Sequence, residues 1–130
     1  MEVLSKISKD TKIFISGIAG LVGQNLALRL SQAGYTQISG LDKHPKNLKI
    51  LQSYQPNLTV KIADIAEMGD WSDMVKEAEV VIINQAQIGG LDYEDFHRNN
   101  VTATQNILDS INQEKNPYVV QISSSVVNSS

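Results

Sequence analysis

The stretch Phe14–Pro45, FISGIAGLVGQNLALRLSQAGYTQISGLDKHP, sets three glycines between two apolar runs. Ile13–Ile15 is β-branched and aromatic and stops at Ser16-Gly17, which reads as a strand meeting a turn. From Leu21 to Ala33 the apolar residues Leu21, Val22, Leu26, Leu28, Leu30 and Ala33 predict a helix with a broad buried side, closed by Gly34 as C-cap. Ile38–Asp42 reads as a second strand. Gly17, Gly20 and Gly23 thus follow a strand and open a helix, the setting in which a glycine motif is informative. Each can be given a task. Gly17 allows the tight turn, Gly20 lets backbone approach a pyrophosphate, and Gly23 lets the helix pack closely on the strand. The helix N-terminus offers free N–H groups and partial positive charge to phosphates. Asp42 stands 19 positions after Gly23, near the spacing of a carboxylate that hydrogen-bonds a ribose 2′-hydroxyl. A 2′-phosphate would meet negative charge there, so NAD is favoured over NADP, although Lys43 and His44 follow directly and soften the preference. The competing reading is a purely structural strand-to-helix turn.

Outward from this stretch, short apolar runs keep alternating with amphipathic ones. KNLKILQSY is a weak helix ended by Pro56, and LTVKIAD a third strand ending at Asp64. DWSDMVKEA gives a short helix with Trp71, Met74, Val75 and Ala78 inward. Val80–Ile83 is wholly apolar, as a strand buried on both faces of a parallel sheet should be. A long helix is expected from about Tyr93 to Gln113, with Phe96, Val101, Ile107, Leu108 and Ile111 on its apolar side. Pro117 breaks it before a fifth strand, Tyr118–Ile122. Five strands alternating with helices predict an α/β, Rossmann-like doubly wound parallel sheet in the order 3-2-1-4-5, helices on both faces.

The 130 residues make one domain. Hydrophobic content of 42% with 19% charged residues is ordinary for a folded soluble chain. A net charge of −3 gives no electrostatic footprint for nucleic acid or an anionic membrane. The absence of cysteine excludes disulfides and thiolate metal sites and fits a cytoplasmic protein. No apolar run approaches the roughly 20 residues that span a bilayer, and the N-terminus lacks a signal-peptide core.

These residues resemble the extended short-chain dehydrogenases/reductases, the NAD-dependent epimerase/dehydratase family. The GxxGxxG spacing of Gly17, Gly20 and Gly23 is that superfamily's form, and the resemblance extends over nearly the whole chain. Asp64-Ile65 resembles the family's acid-aliphatic pair at the adenine; VVIINQAQIGG resembles its fourth strand and loop. NNVTATQNILDSI resembles its Asn-Val helix, and VVQISSSVVNSS the strand that delivers a catalytic hydroxyl. The resemblance implies that Leu21 and Val22 join the pyrophosphate loop and that the segment from Asn84 through Gln85, Ala86 and Gln87 to Ile88 borders the cofactor. It also implies a cofactor contact from Asn99 and a catalytic hydroxyl at Ser125, with Ser124 next in line. Departures are Gln85 and Gln87 for small apolar residues, Ala103 for glycine, and Val126-Val127-Asn128 after the serines. The family's Tyr-x-x-x-Lys pair has no counterpart after any of the four tyrosines.

Asp64 also reads as an N-cap for the residues after it. His44 and His97 lack metal-ligand spacing and read as surface or helix residues, so no metal site is expected. Asp92, Glu94 and Asp95 read as a dipole-stabilised helix start. Ser123–Ser125 has no partner histidine, which excludes a hydrolase triad, and no Walker-type Gly-Lys-Ser/Thr is present.

The expectation is the NAD-binding portion of an epimerase, dehydratase or reductase that moves hydride to or from a nucleotide sugar or similar small substrate. The alternative is a non-catalytic dinucleotide-binding module. Residues 1–130 form the NAD(P)-binding domain in this reading, without the C-terminal substrate-binding part, and are expected not to turn over substrate alone. An apolar edge at the fifth strand makes self-association, such as a homodimer, a further expectation.

Overall fold

A computed structural model describes residues 9–85 and 93–123. Its elements run β1 (Ile13–Ser16), α1 (Leu21–Gln32), β2 (Ile38–Asp42), α2 (Pro45–Tyr54), β3 (Thr59–Ile62), α3 (Ser72–Glu77), β4 (Val80–Gln85), α4 (Tyr93–Ser110) and β5 (Tyr118–Ser123). A single 3-10 turn, Gln113–Lys115, precedes β5. The five strands form one parallel sheet in the order β3-β2-β1-β4-β5, as the alternation of runs predicts.

Two apolar layers sandwich the sheet. On one face Ile13, Ile15, Ile38, Val80 and Ile82 pack with Ala27 of α1 and with Leu48 and Leu51 of α2. On the other, Phe14, Leu41, Val81 and Ile83 pack with Trp71, Val75 and Ile107. This is the alternation of a strand covered on both sides, and it explains why β1 carries no polar residue before Ser16 and β4 none before Asn84. Trp71 is buried, with its indole N–H donating to the Glu67 carbonyl at 2.8 Å.

Helix ends follow local chemistry. Pro45 occupies the first turn of α2, where its missing N–H costs nothing. At the end of α1, Gly34 adopts φ +101°. Its N–H donates to Ser31 O at 3.0 Å and that of Tyr35 to Leu30 O at 3.1 Å, a Schellman closure.

Four expectations need correction. The buried face of α1 is Gly23 and Ala27 flanked by half-buried Leu26 and Leu30; Leu21 (79% exposed), Val22, Leu28 and Ala33 point outward. The helix lies so close to the strand-loop backbone that only small residues fit at its centre, and larger ones are displaced to the flanks. Among the described side chains of α4 the buried positions are Ala103, Ile107 and Ser110, while Val101 (55% exposed) and Leu108 face out. The α4 helix also stops at Ser110, because Asn112 leaves helical geometry and its side chain accepts from the Glu114 N–H at 3.0 Å. The Phe96 side chain lies outside the described residues. The third strand is shorter than expected, and Leu58 and Asp64 flank it.

Candidate functional site

Because all five strands are parallel, their carboxyl ends share one edge of the sheet. The order reverses between β1 and β4, where connections leave to opposite faces and a crevice opens. The glycine loop emerges from β1 at this switch point.

Two of the three glycines have a steric reason, and the third opens the helix. Gly17 has φ +62°, and a Cβ there would stand 2.5 Å from the Asn84 carbonyl oxygen. A Cβ on Gly23 would run into Gly17 O and lie 2.8 Å from Ile18 Cα, so the first turn of α1 rests directly on the loop's backbone. Gly20 is the N-cap of α1, extended at φ −74° and ψ 169° and without a side-chain cap.

Most polar groups of the loop are turned inward. The Ile18 N–H donates to Leu41 O at 3.0 Å, and that of Gly20 to Gly17 O at 3.1 Å. The Ala19 N–H donates to Asp42 Oδ2 at 3.0 Å, and Gln24 Nε2 donates to Ala19 O at 2.7 Å. Intrahelical bonding begins with Gln24 N–H to Gly20 O, so the geometry of the first turn leaves the amides of Leu21, Val22 and Gly23 without an i−4 partner. That is a donor set for an anion, capped by a residue with no side chain in the way.

Asp42 ends β2 beside this loop with 9% of its surface exposed. Its other oxygen, Oδ1, accepts from the His44 N–H at 3.1 Å. Each carboxylate oxygen retains lone-pair capacity for a further donor, such as a ribose hydroxyl. Lys43 is exposed next to it. Asp64 is exposed two residues beyond β3, and its Oδ1 accepts from the Ala66 N–H at 2.9 Å; a turn follows it in place of a helix. Ile65 packs into the second apolar layer, and its carbonyl accepts from Asn106 Nδ2 of α4 at 2.8 Å.

The structure therefore brings Gly17, Gly20, Leu21, Val22, Gly23 and Asp42 together at one crevice, with Asn84 behind the loop. Asn84 is buried and donates through Nδ2 to Gly17 O at 3.3 Å. Gln85 is the last residue of β4, and Asn99 lies on α4; their side chains are outside the described residues, as are Ala86, Gln87, Ser124 and Ser125 altogether. Sequence reasoning missed Ser16 and Gln24. Both left a signal: a hydroxyl ending an otherwise apolar strand, and an amide side chain one residue past the last glycine. Among the described residues no helix is long and apolar enough to cross a membrane. No group of three or more His, Asp or Glu side chains among them could hold a metal ion.

The sequence profile of the NAD dependent epimerase/dehydratase family matches residues 13–129. The chain belongs to that family. A nicotinamide dinucleotide, NAD(P), is accordingly its cofactor, and the glycine cradle with its free first-turn amides fits one. No curated protein gives a significant match. Among solved structures, uronate dehydrogenase from Agrobacterium tumefaciens superposes with a TM-score of 0.70 at 19% identity, covering 90% of this chain and 42% of that one. Gre2 from Candida albicans in complex with NADPH gives 0.68 at 22% identity, covering 88% and 37%. Pen from Bacillus thuringiensis gives 0.66 at 18% identity, covering 78% and 34%. At these identities the likeness is one of fold. The chain spans 34 to 42% of the length of these structures.

Proposed function

We propose that the chain is the NAD-binding portion of an oxidoreductase-type enzyme of this family, an epimerase, dehydratase or reductase acting on a nucleotide sugar or similar small substrate. The carrying observation is the buried Asp42 carboxylate at the end of β2, held against the glycine loop by the Ala19 amide. In this reading Gly17–Gly23 and the first-turn amides of α1 bind the pyrophosphate, and Asp42 accepts from the adenosine ribose. Asp64 and Ile65 border the adenine, Lys43 lies alongside, and the segment from Asn84 to Gln87 with Asn99 flanks the remainder. A dinucleotide so held supplies hydride transfer. Ser125, or Ser124, would position the substrate oxygen. A hydroxyl alone is a poor base near neutral pH, so proton transfer needs a further group of better-matched pKa.

NAD is preferred over NADP in this proposal, because a 2′-phosphate would bring two like charges together at a buried carboxylate. The preference is proposed for this chain even though the similar Gre2 structure holds NADPH. The protein is proposed to be cytoplasmic, and a homodimer is its proposed assembly.

Calorimetric titration with NAD and NADP tests this reading. NAD should bind more tightly, and Asp42→Ala should weaken NAD by about 1–3 kcal/mol, the range for a hydrogen bond to a charged group. Equal affinity for both cofactors, or an Asp42→Ala variant that binds NAD unchanged, would remove Asp42 from the ribose site.

A further inference from the structure

We propose that Gly40 and Ile18 act as a notch and its plug, seating the glycine loop on β2 and so fixing the gap between that loop and Asp42. Both are positioning residues and neither touches the cofactor. This rests on the reading of the loop as the pyrophosphate cradle and of Asp42 as the ribose acceptor.

A glycine inside a strand has no side chain to pack and weakens the strand, so it marks a place where another segment comes close. β2 carries one at its centre. Ile38, Gly40 and Asp42 are alternate residues and face the same side of the sheet. On that side Ile38 joins the apolar layer covered by α1 and α2. A Cβ at Gly40 would stand 2.5 Å from Ile15 O on the neighbouring strand. It would also stand 2.6 Å from Ile18 Cδ1 and 2.7 Å from Ile18 Cβ. The space that a side chain at position 40 would fill is thus taken by Ile18, fully buried in the same layer.

Ile18 belongs to the loop, between Gly17 and Gly20. Its backbone is bound to β2 as well, the N–H donating to Leu41 O at 3.0 Å. The next residue, Ala19, donates its N–H to Asp42 Oδ2 at 3.0 Å. Ile18 and Ala19 therefore meet Gly40, Leu41 and Asp42 in turn, through a side chain, a backbone bond and a carboxylate. The root of the loop is held separately by β4, where Ser16 Oγ accepts from the Asn84 N–H at 2.9 Å. A larger residue at position 40 would lift Ile18, and with it Ala19, Gly20 and the first-turn amides of α1. Asp42 would stay at the end of its strand. The pair is a spacer between the two parts of the site that one dinucleotide must reach together. Gly40 and Ile18 are both buried, so they act only through that spacing.

The test compares the 130-residue chain with Gly40→Ala, Ile18→Val, Ile18→Ala and the double variant Gly40→Ala/Ile18→Ala. Calorimetry gives affinities for ADP-ribose, which spans the cradle and the carboxylate, and for adenosine, which meets the carboxylate alone. Thermal unfolding confirms that each variant is folded at the assay temperature. Gly40→Ala and Ile18→Ala should each weaken ADP-ribose by about tenfold, the scale of one net hydrogen bond lost, and adenosine by less than about twofold. Ile18→Val, which removes the Cδ1 methyl, should weaken ADP-ribose by about threefold and leave adenosine unchanged. The double variant should be little worse than the poorer single, because both changes act on one contact. Losses that simply add would show two independent effects and overturn the proposal. A purely stabilising role would leave the ratio of the two affinities unmoved, and a disturbance of Asp42 itself would lower both together; either result overturns it as well. Wild-type protein that binds neither ligand would instead refute the dinucleotide reading. Should Gly40→Ala or Ile18→Ala fail to fold, Ile18→Val decides alone.

Discussion

Replacing Gly23 by alanine should destabilise the protein, against the ordinary rule for a helical glycine. In an exposed helix interior that change is favourable by about 1 kcal/mol, because alanine has less backbone freedom to lose. Here the added methyl would run into Gly17 O and lie 2.8 Å from Ile18 Cα and 2.9 Å from Ile18 C. All three are backbone atoms, so no flexible side-chain end can move aside. Overpacking of this kind costs about 1–3 kcal/mol, and contact with the rigid Gly17–Ile18 backbone places Gly23 toward the upper end. The balance is a net loss of about 1–2 kcal/mol once the propensity gain is subtracted. For a domain of this size it corresponds to a fall in Tm of about 3–10 °C. Urea and thermal unfolding followed by circular dichroism measure it, with Asn25→Ala as the control. Asn25 is exposed on the same helix, and its replacement should be neutral or slightly stabilising. A Gly23→Ala variant as stable as the parent, or more so, would refute the close seating of α1 on the loop.

Gly20→Val should abolish detectable NAD binding while the far-ultraviolet spectrum stays that of a folded domain; retained affinity would show that the pyrophosphate does not lie over the N-cap of α1. Gly34→Ala should cost about 1 kcal/mol in urea unfolding, since φ +101° is strained for any side chain, and a stabilised variant would contradict the Schellman closure. Ile107→Ala should cost about 2–5 kcal/mol, as a fully buried aliphatic does. Leu108→Ala, at a position 40% exposed, should cost well under half as much, and equal losses would reverse the assigned face of α4.

Much of this architecture was legible in the residues because parallel sheets leave strong marks. Val80–Ile83 has no polar residue, a pattern that a strand buried on both faces requires. Gly17, Gly20 and Gly23 announce a loop, and the distance to Asp42 announces the neighbouring strand. Helix faces were less legible. Counting large apolar residues selected Leu21, Val22, Leu28, Val101 and Leu108, yet α1 is buried at Gly23 and Ala27, and α4 buries Ala103 and Ser110 beside the expected Ile107. Close approach of backbone favours small side chains, which carry little weight in a hydrophobic pattern. Asn84 was expected at the site, but its bond to Ser16 was illegible for another reason: the two residues stand 68 positions apart.

That separation has a bearing on how the molecule comes into being. β1, β2 and β3 with the helices between them are built from neighbouring sequence, so their pairing closes short loops. The pairing of Ile13 with Val80 closes a loop of more than half the chain, at an entropic cost about 1 kcal/mol above that of pairing Ile13 with Ile38. During synthesis the first three strands are complete while one edge of β1 still awaits a partner. Until β4 leaves the ribosome, the future cofactor crevice is a bare strand edge, a template for pairing with other chains. Its polar stop, Ser16, then serves twice: as the last rung joined to β4 in the native sheet, and as a break in an apolar run during the wait.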